Sequence, residues 1–112
     1  MKPDPSSVLQ TLFAVIEDRR ENPTQRSYTT SLFQGGVAKI AKKIVEEAAE
    51  VNEAAEQTGD VGREHLAEEA ADLVYHLLVM LAHRAVTLAD VERVLEGRFG
   101  MSGIEEKESR SK

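Results

Sequence analysis

Apolar residues recur three and four positions apart along most of this chain, the period of a helix with one buried face. Val8, Leu9, Leu12, Phe13 and Ile16 form the first such stripe. It predicts a helix from about Ser6 to Glu21, with Pro5-Ser6-Ser7 as its start. "ENPTQRSYTTSLFQGG" breaks the pattern. Its Pro, hydroxyl residues and paired glycines predict a loop of about fifteen residues, a length that in small domains often carries function. The stripe resumes with Val37, Ile40, Ala41, Ile44, Ala48, Val51 and Ala55, a second helix from about Val37 to Gln57. A third is expected from about Gly62 to Arg84, with Leu66, Ala70, Leu73 and Leu77 as its stripe. Its middle, "ADLVYHLLVMLA", is apolar nearly all round, so it is expected to be covered on more than one side. A fourth is expected from about Leu88 to Phe99, capped by Thr87. Nothing reads as a strand. The expected fold is a single all-α domain over residues 1–112, a four-helix bundle completed by dimerisation. Its helical core spans about residues 6–99, and residues 100–112 form a polar tail.

One position spoils the pattern. With Ile40 at zero on a wheel of about 100° per residue, Ile44 falls near 40°, Val51 near 20° and Glu47 near −20°. Glu47 therefore occupies a core direction, flanked by Lys43 and Glu50, with Lys39 and Glu46 slightly further round. On the third helix Glu69, Asp72 and His76 flank the stripe in the same way. Glu47 and Glu50 are three apart, and so are Glu69 and Asp72, which makes each pair neighbours on its helix surface.

Bulk properties narrow what such a pattern does. The chain has 112 residues and a formal net charge of −6, which argues against a general nucleic-acid-binding face. It has no cysteine, so thiol chemistry and disulfides are excluded and a cytoplasmic location is expected. No segment has the length or apolarity of a membrane span, and "MKPDPSSVLQ" is not expected to be a signal peptide.

If the second and third helices pack antiparallel, the two acidic pairs converge. Carboxylates brought so close repel and lose hydration, and a divalent cation removes both costs. Oxygen ligands of this kind suit Mg²⁺ or Mn²⁺ rather than Zn²⁺. Lys39 and Lys43 share the acidic side of the helix and are candidates for binding phosphate. The plainer alternative pairs them with Glu46, Glu47 or Glu50. Arg26, Tyr28 and Thr29, in the expected loop, are candidates for a phosphate or a ribose, with helix capping by Thr29 or Ser31 as the alternative. His76 either supports the acidic group, contacts a phosphate or is a satisfied structural residue. His65 and His83 are expected at the surface, and Tyr75 in a core or dimer contact.

"EEAAE" at 46–50 followed by "EAAD" at 69–72 resembles the EExxE…ExxD signature of the all-α nucleoside triphosphate pyrophosphohydrolases, the MazG-like superfamily. "SYTTSLFQGGVAKIAKKIVEEAAEV", "EEAADLVYHLLVMLAHR" and "GRFGMSGIEEKESR" together resemble the phosphoribosyl-ATP pyrophosphatase family of histidine biosynthesis. The resemblance implies a helical homodimer, possibly pairing further, that cleaves phosphoribosyl-ATP to phosphoribosyl-AMP and pyrophosphate. It implies Glu47, Glu50, Glu69 and Asp72 as Mg²⁺ ligands, with Glu46 orienting or deprotonating the attacking water or touching a second ion. It also implies that Ser102, Lys107 and Arg110 of the tail reach the substrate. Two positions depart from the family pattern: Asn52 stands where an aliphatic residue is usual, and Ala85 where a turn glycine is common. A house-cleaning nucleoside triphosphate pyrophosphohydrolase on the same scaffold is the alternative activity, and a non-enzymatic helical interaction dimer the alternative class.

Overall fold

The computed structural model describes residues 8–100, which form four helices and, among the described residues, no strand. They are α1 (Val8–Glu21), α2 (Tyr28–Ala55), α3 (Gly59–His83) and α4 (Leu88–Glu96). The expected tail, with Ser102, Lys107 and Arg110, and the expected start at Pro5-Ser6-Ser7 lie outside the described residues.

The long loop is largely helix. Only residues 22–27 are irregular, because the Ser27 hydroxyl caps α2 by accepting from the Thr30 N–H at 3.1 Å. Neither Thr29 nor Ser31 is the cap. The paired glycines do not end a loop; they break a helix. Gly36 sits at φ 71°, ψ −168°, a region open essentially only to glycine, and divides α2 into a limb over 28–35 and a limb over 37–55. In an unbroken helix Tyr28 and Lys43 would stand about 22 Å apart along the axis. Here the short limb turns back, and the Lys43 charge acts on the Tyr28 hydroxyl.

α2 and α3 are joined by a short turn and pack against each other more extensively than any other pair. Ile40, Leu32, Val79 and Ile16 are fully buried, with Phe13, Leu78 and Ala82 completing the apolar core. α1 lies across this pair, and Arg20 at its C-terminal end donates to the Ala82 carbonyl of α3.

α3 corrects the expected stripe. Its buried positions are Gly62, His76, Leu78, Val79 and Ala82, while Leu66, Ala70 and Leu73 are half-buried and Leu77 is 43% exposed. A segment apolar nearly all round gives the wheel no basis for choosing a face. The face that packs is the one whose polar member, His76, finds hydrogen bonds.

α3 ends in a turn where Ala85 takes φ 59°, Val86 N–H donates to Leu81 at 2.9 Å and Ala85 N–H to Ala82 at 3.1 Å. This is the left-handed helix ending that normally selects glycine, which accounts for the glycine pattern from which Ala85 departs. α4 begins as expected at Thr87, whose hydroxyl accepts from Asp90 N–H while the Asp90 carboxylate accepts from Thr87 N–H. It stops at Glu96, short of Phe99, and buries no residue fully.

Candidate metal centre

The long limb of α2 and the facing part of α3 bring Glu47, Glu50 and Glu69 together. One carboxylate oxygen from each lies within 4.8 Å of the others. Glu47 is only 7% exposed, so the wheel anomaly is a buried carboxylate in fact. Helix spacing sets Lys43 beside it: the Lys43 Nζ lies 3.8 Å from Glu47 and 3.1 Å from Glu46.

The electrostatics are those of a charge cluster short of cations. Burial pushes the Glu47 carboxyl up from its ordinary value, with the Glu50 carboxyl and the Asp72 charge adding to the shift. Glu69 is raised first by the Glu50 carboxyl beside it and then by burial. Oε2 of Glu47 and Oε2 of Glu69 are both buried without a hydrogen-bond partner. Buried carboxylate oxygens normally accept hydrogen bonds, and two left bare at one place match the donor set of a hard divalent cation. Asp72 is exposed and outside the close three, but near enough for its charge to act on Glu47.

Around the acids, His65 Nε2 lies 3.1 Å from Glu69 Oε1 and its Nδ1 lies 3.1 Å from Gln57 Oε1. Sequence reasoning left His65 at the surface, although it stands four residues before Glu69 on the same helix. That spacing was the available signal. Tyr75, expected in a core or dimer contact, is hydrogen-bonded to Thr29 across the α2–α3 interface.

The remaining candidates divide. Tyr28 and Thr29 lie in the first turn of α2 rather than in a loop. Tyr28 Oη is 3.0 Å from His76 Nε2, and burial with the nearby acids raises its hydroxyl pKa against the opposing pull of Lys43. His76 is 5% exposed and engages both ring nitrogens, Nδ1 donating to the Asp72 carbonyl at 2.8 Å. Lys39 reaches back across the Gly36 break to the Ser31 carbonyl at 3.3 Å and is exposed. Arg26 is exposed in the turn before α2.

Comparison with known proteins decides what kind of protein carries this arrangement. The profile of the family described as phosphoribosyl-ATP pyrophosphohydrolase matches residues 9–99. The chain belongs to the phosphoribosyl-ATP pyrophosphohydrolase family. The phosphoribosyl-ATP pyrophosphatase of Geotalea daltonii is 44% identical over 94% of this chain and 96% of its own length. That of Cereibacter sphaeroides is 51% identical over 93% of this chain and 98% of its own. The histidine biosynthesis bifunctional protein HisIE of a Nostoc species is 50% identical over 84% of this chain, which spans 42% of that longer protein. Membership of the phosphoribosyl-ATP pyrophosphohydrolase family makes the chain a hydrolase and sets aside the non-enzymatic alternative.

Proposed function

We propose that the chain hydrolyses phosphoribosyl-ATP to phosphoribosyl-AMP and pyrophosphate, the second step of histidine biosynthesis, in the cytoplasm. The observation that carries the reading is the close group of Glu47, Glu50 and Glu69, in which Glu47 is buried and two carboxylate oxygens lack partners, in a chain of this family. Glu47, Glu50, Glu69 and Asp72 would hold Mg²⁺, with Mn²⁺ as a substitute. The bound cation supplies charge neutralisation at the triphosphate and a lower pKa for bound water.

The chain's own residues supply the rest. Water attacks at the α–β phosphoanhydride, the bond to the bridging oxygen breaks and pyrophosphate departs with its electrons. Glu46, exposed and held by Lys43 at 3.1 Å, orients that water and accepts its proton. Lys39 and Lys43 offset the charge of the triphosphate. Arg26, Tyr28 and Thr29 bind around it, and Ser102, Lys107 and Arg110 reach the substrate from the C-terminal segment. His76 supports this group from α3. A homodimer is supported by the apolar surface left exposed, which includes Leu77 on α3 and Val94 and Leu95 on α4.

The test is kcat/KM for phosphoribosyl-ATP beside a panel of nucleoside triphosphates that includes dUTP. A preference for phosphoribosyl-ATP supports the reading. A preference for dUTP or a non-canonical triphosphate contradicts it and points to house-cleaning hydrolysis.

A further inference from the structure

Tyr28, in the first turn of α2, is half exposed and yet held on several sides. Its hydroxyl is turned inward, 3.0 Å from Nε2 of the buried His76. Its ring stacks on Tyr75 with centroids 6.3 Å apart and planes at 21°, and meets the His76 ring edge-on at 5.9 Å. Tyr75 is fixed in turn by its bond to Thr29 and by an edge-on contact with His76 at 5.1 Å. The Ser27 cap holds the backbone beneath. An exposed tyrosine ordinarily lays its ring on the protein and gives its polar tip to water. Here the tip is engaged inside, so the surface Tyr28 shows to solvent is largely ring. That ring borders the acidic group, because the charges of Lys43, Glu47 and Glu46 act on its hydroxyl. Lys43 is already shared between Glu46 at 3.1 Å and Glu47 at 3.8 Å. A π face is electronegative. With two carboxylates near and their cation engaged, it repels a phosphate and accepts a flat group that carries no negative charge.

We propose that Tyr28 is the platform on which the purine base of the substrate stacks while the triphosphate lies at the group of Glu47, Glu50 and Glu69. A nucleotide has an anionic end, drawn to a cation held by the acids, and a planar uncharged end. The exposed ring beside the acids suits the second end, and base–aromatic stacking is a common source of nucleotide affinity. Because the ring is already held, little side-chain freedom remains to be lost when the base arrives. Tyr28 then distinguishes a nucleotide from free polyphosphate, which the acids and their cation would bind alike. Tyr75 and His76 act through it as positioning residues. The identity of the nucleotide rests on the proposed reaction; the platform rests on the held ring.

Two measurements on the full chain in Mg²⁺ test it. The first is kinetic. Tyr28→Leu keeps an apolar side chain and removes the π face, and KM for phosphoribosyl-ATP is expected to rise about tenfold, in the range for one base–aromatic stack. Tyr28→Phe, which keeps the ring, is expected to recover most of that loss. Tripolyphosphate, which has no base, is expected to inhibit Tyr28→Leu as strongly as it inhibits the unaltered chain. An unchanged KM in Tyr28→Leu overturns the proposal. So does a loss of tripolyphosphate inhibition equal to the rise in KM, which would assign Tyr28 to the phosphates. The second measurement is optical and needs no variant, so it stands even if Tyr28→Leu does not fold. The chain has two tyrosines, Tyr28 and Tyr75, and no tryptophan, so its ultraviolet emission comes from the stacked pair alone. The α,β-methylene analogue of phosphoribosyl-ATP is expected to quench that emission, after correction for absorption by the base, and tripolyphosphate to leave it unchanged. Unchanged emission at analogue concentrations that inhibit turnover overturns the proposal and leaves the ring to be covered by something other than the base, such as a second copy of the chain. The proposed reaction fails separately: if the unaltered chain prefers another nucleoside triphosphate, that substrate and its α,β-methylene analogue take the place of phosphoribosyl-ATP, and the same outcomes decide the role of Tyr28.

Discussion

Glu47 on α2 and Glu69 on α3 each bury a carboxylate oxygen that no hydrogen bond reaches, and the two residues face each other through Glu50. Without a cation, that arrangement opposes the folded state. Glu47→Gln converts one repelling carboxylate into an amide able to donate to Glu50. The metal-free variant is expected to be more stable by about 1 kcal/mol, a rise in Tm of roughly 4–8 °C. Turnover is expected to fall at least about 100-fold, in the range for loss of a group that stabilises developing charge. Thermal melts in EDTA and a turnover assay in Mg²⁺ check the pair. A variant that melts lower in EDTA contradicts the account.

The same cluster sets a pH dependence. In the unfolded chain both carboxyls titrate near 4.5, and in the folded chain both are raised. The folded state thus holds protons that the unfolded state has released. The associated stability is full below about 4.5 and is lost as pH rises through the raised values. Asp90 runs the other way. Its backbone and hydroxyl bonds with Thr87 lower its pKa, so its contribution is present above 3.8 and disappears as pH falls through the lowered value. In EDTA, Tm is expected to climb as pH drops from neutral toward 4.5 and to turn down below 3.8. Mg²⁺ is expected to flatten or reverse the upper part of that profile. A steady decline from neutral pH downwards in EDTA would count against the cluster.

His65 holds Glu69 at 3.1 Å and is itself tied to Gln57. Groups that orient a metal ligand commonly matter to affinity by tenfold or more. His65→Ala is therefore expected to weaken Mg²⁺ binding about tenfold, read by calorimetric titration, while turnover at saturating Mg²⁺ changes little. An unchanged affinity shows that the contact does not orient Glu69.

Two backbone positions predict opposite swaps. Gly36→Ala forces a side chain into φ 71°, ψ −168° and is expected to cost about 1–3 kcal/mol. It should also disturb the Tyr28 limb and raise KM. Ala85→Gly relieves φ 59° and is expected to add about 1 kcal/mol without altering turnover. Denaturant melts of both variants decide the signs.

The helical class and the Thr87 cap were legible because each depends on spacing within a helix; the approach of Glu47, Glu50 and Glu69 was legible only on the further condition that α2 packs against α3, because spacing puts each acid on a flank of its own helix and no more. The fold-back at Gly36 was not. "QGG" is compatible with a loop end or a helix break, and the choice depends on Ser27 capping a limb whose apolar members, Leu32 and Phe33, reach the core from a segment rich in turn residues. The packed face of α3 was likewise hidden, because its deciding residue is a histidine whose partners, Tyr28 and the Asp72 carbonyl, come together only in the folded chain. His65 was overlooked for the opposite reason: its signal was local, but a lone histidine beside charged residues looks like any other surface position.

The most direct test is a ³¹P NMR time course of phosphoribosyl-ATP with the purified protein, run with Mg²⁺ and with EDTA, beside Glu50→Gln. The account predicts equimolar pyrophosphate and phosphoribosyl-AMP in Mg²⁺ only, and none from the variant. Release of orthophosphate, or equal turnover in EDTA, would contradict it.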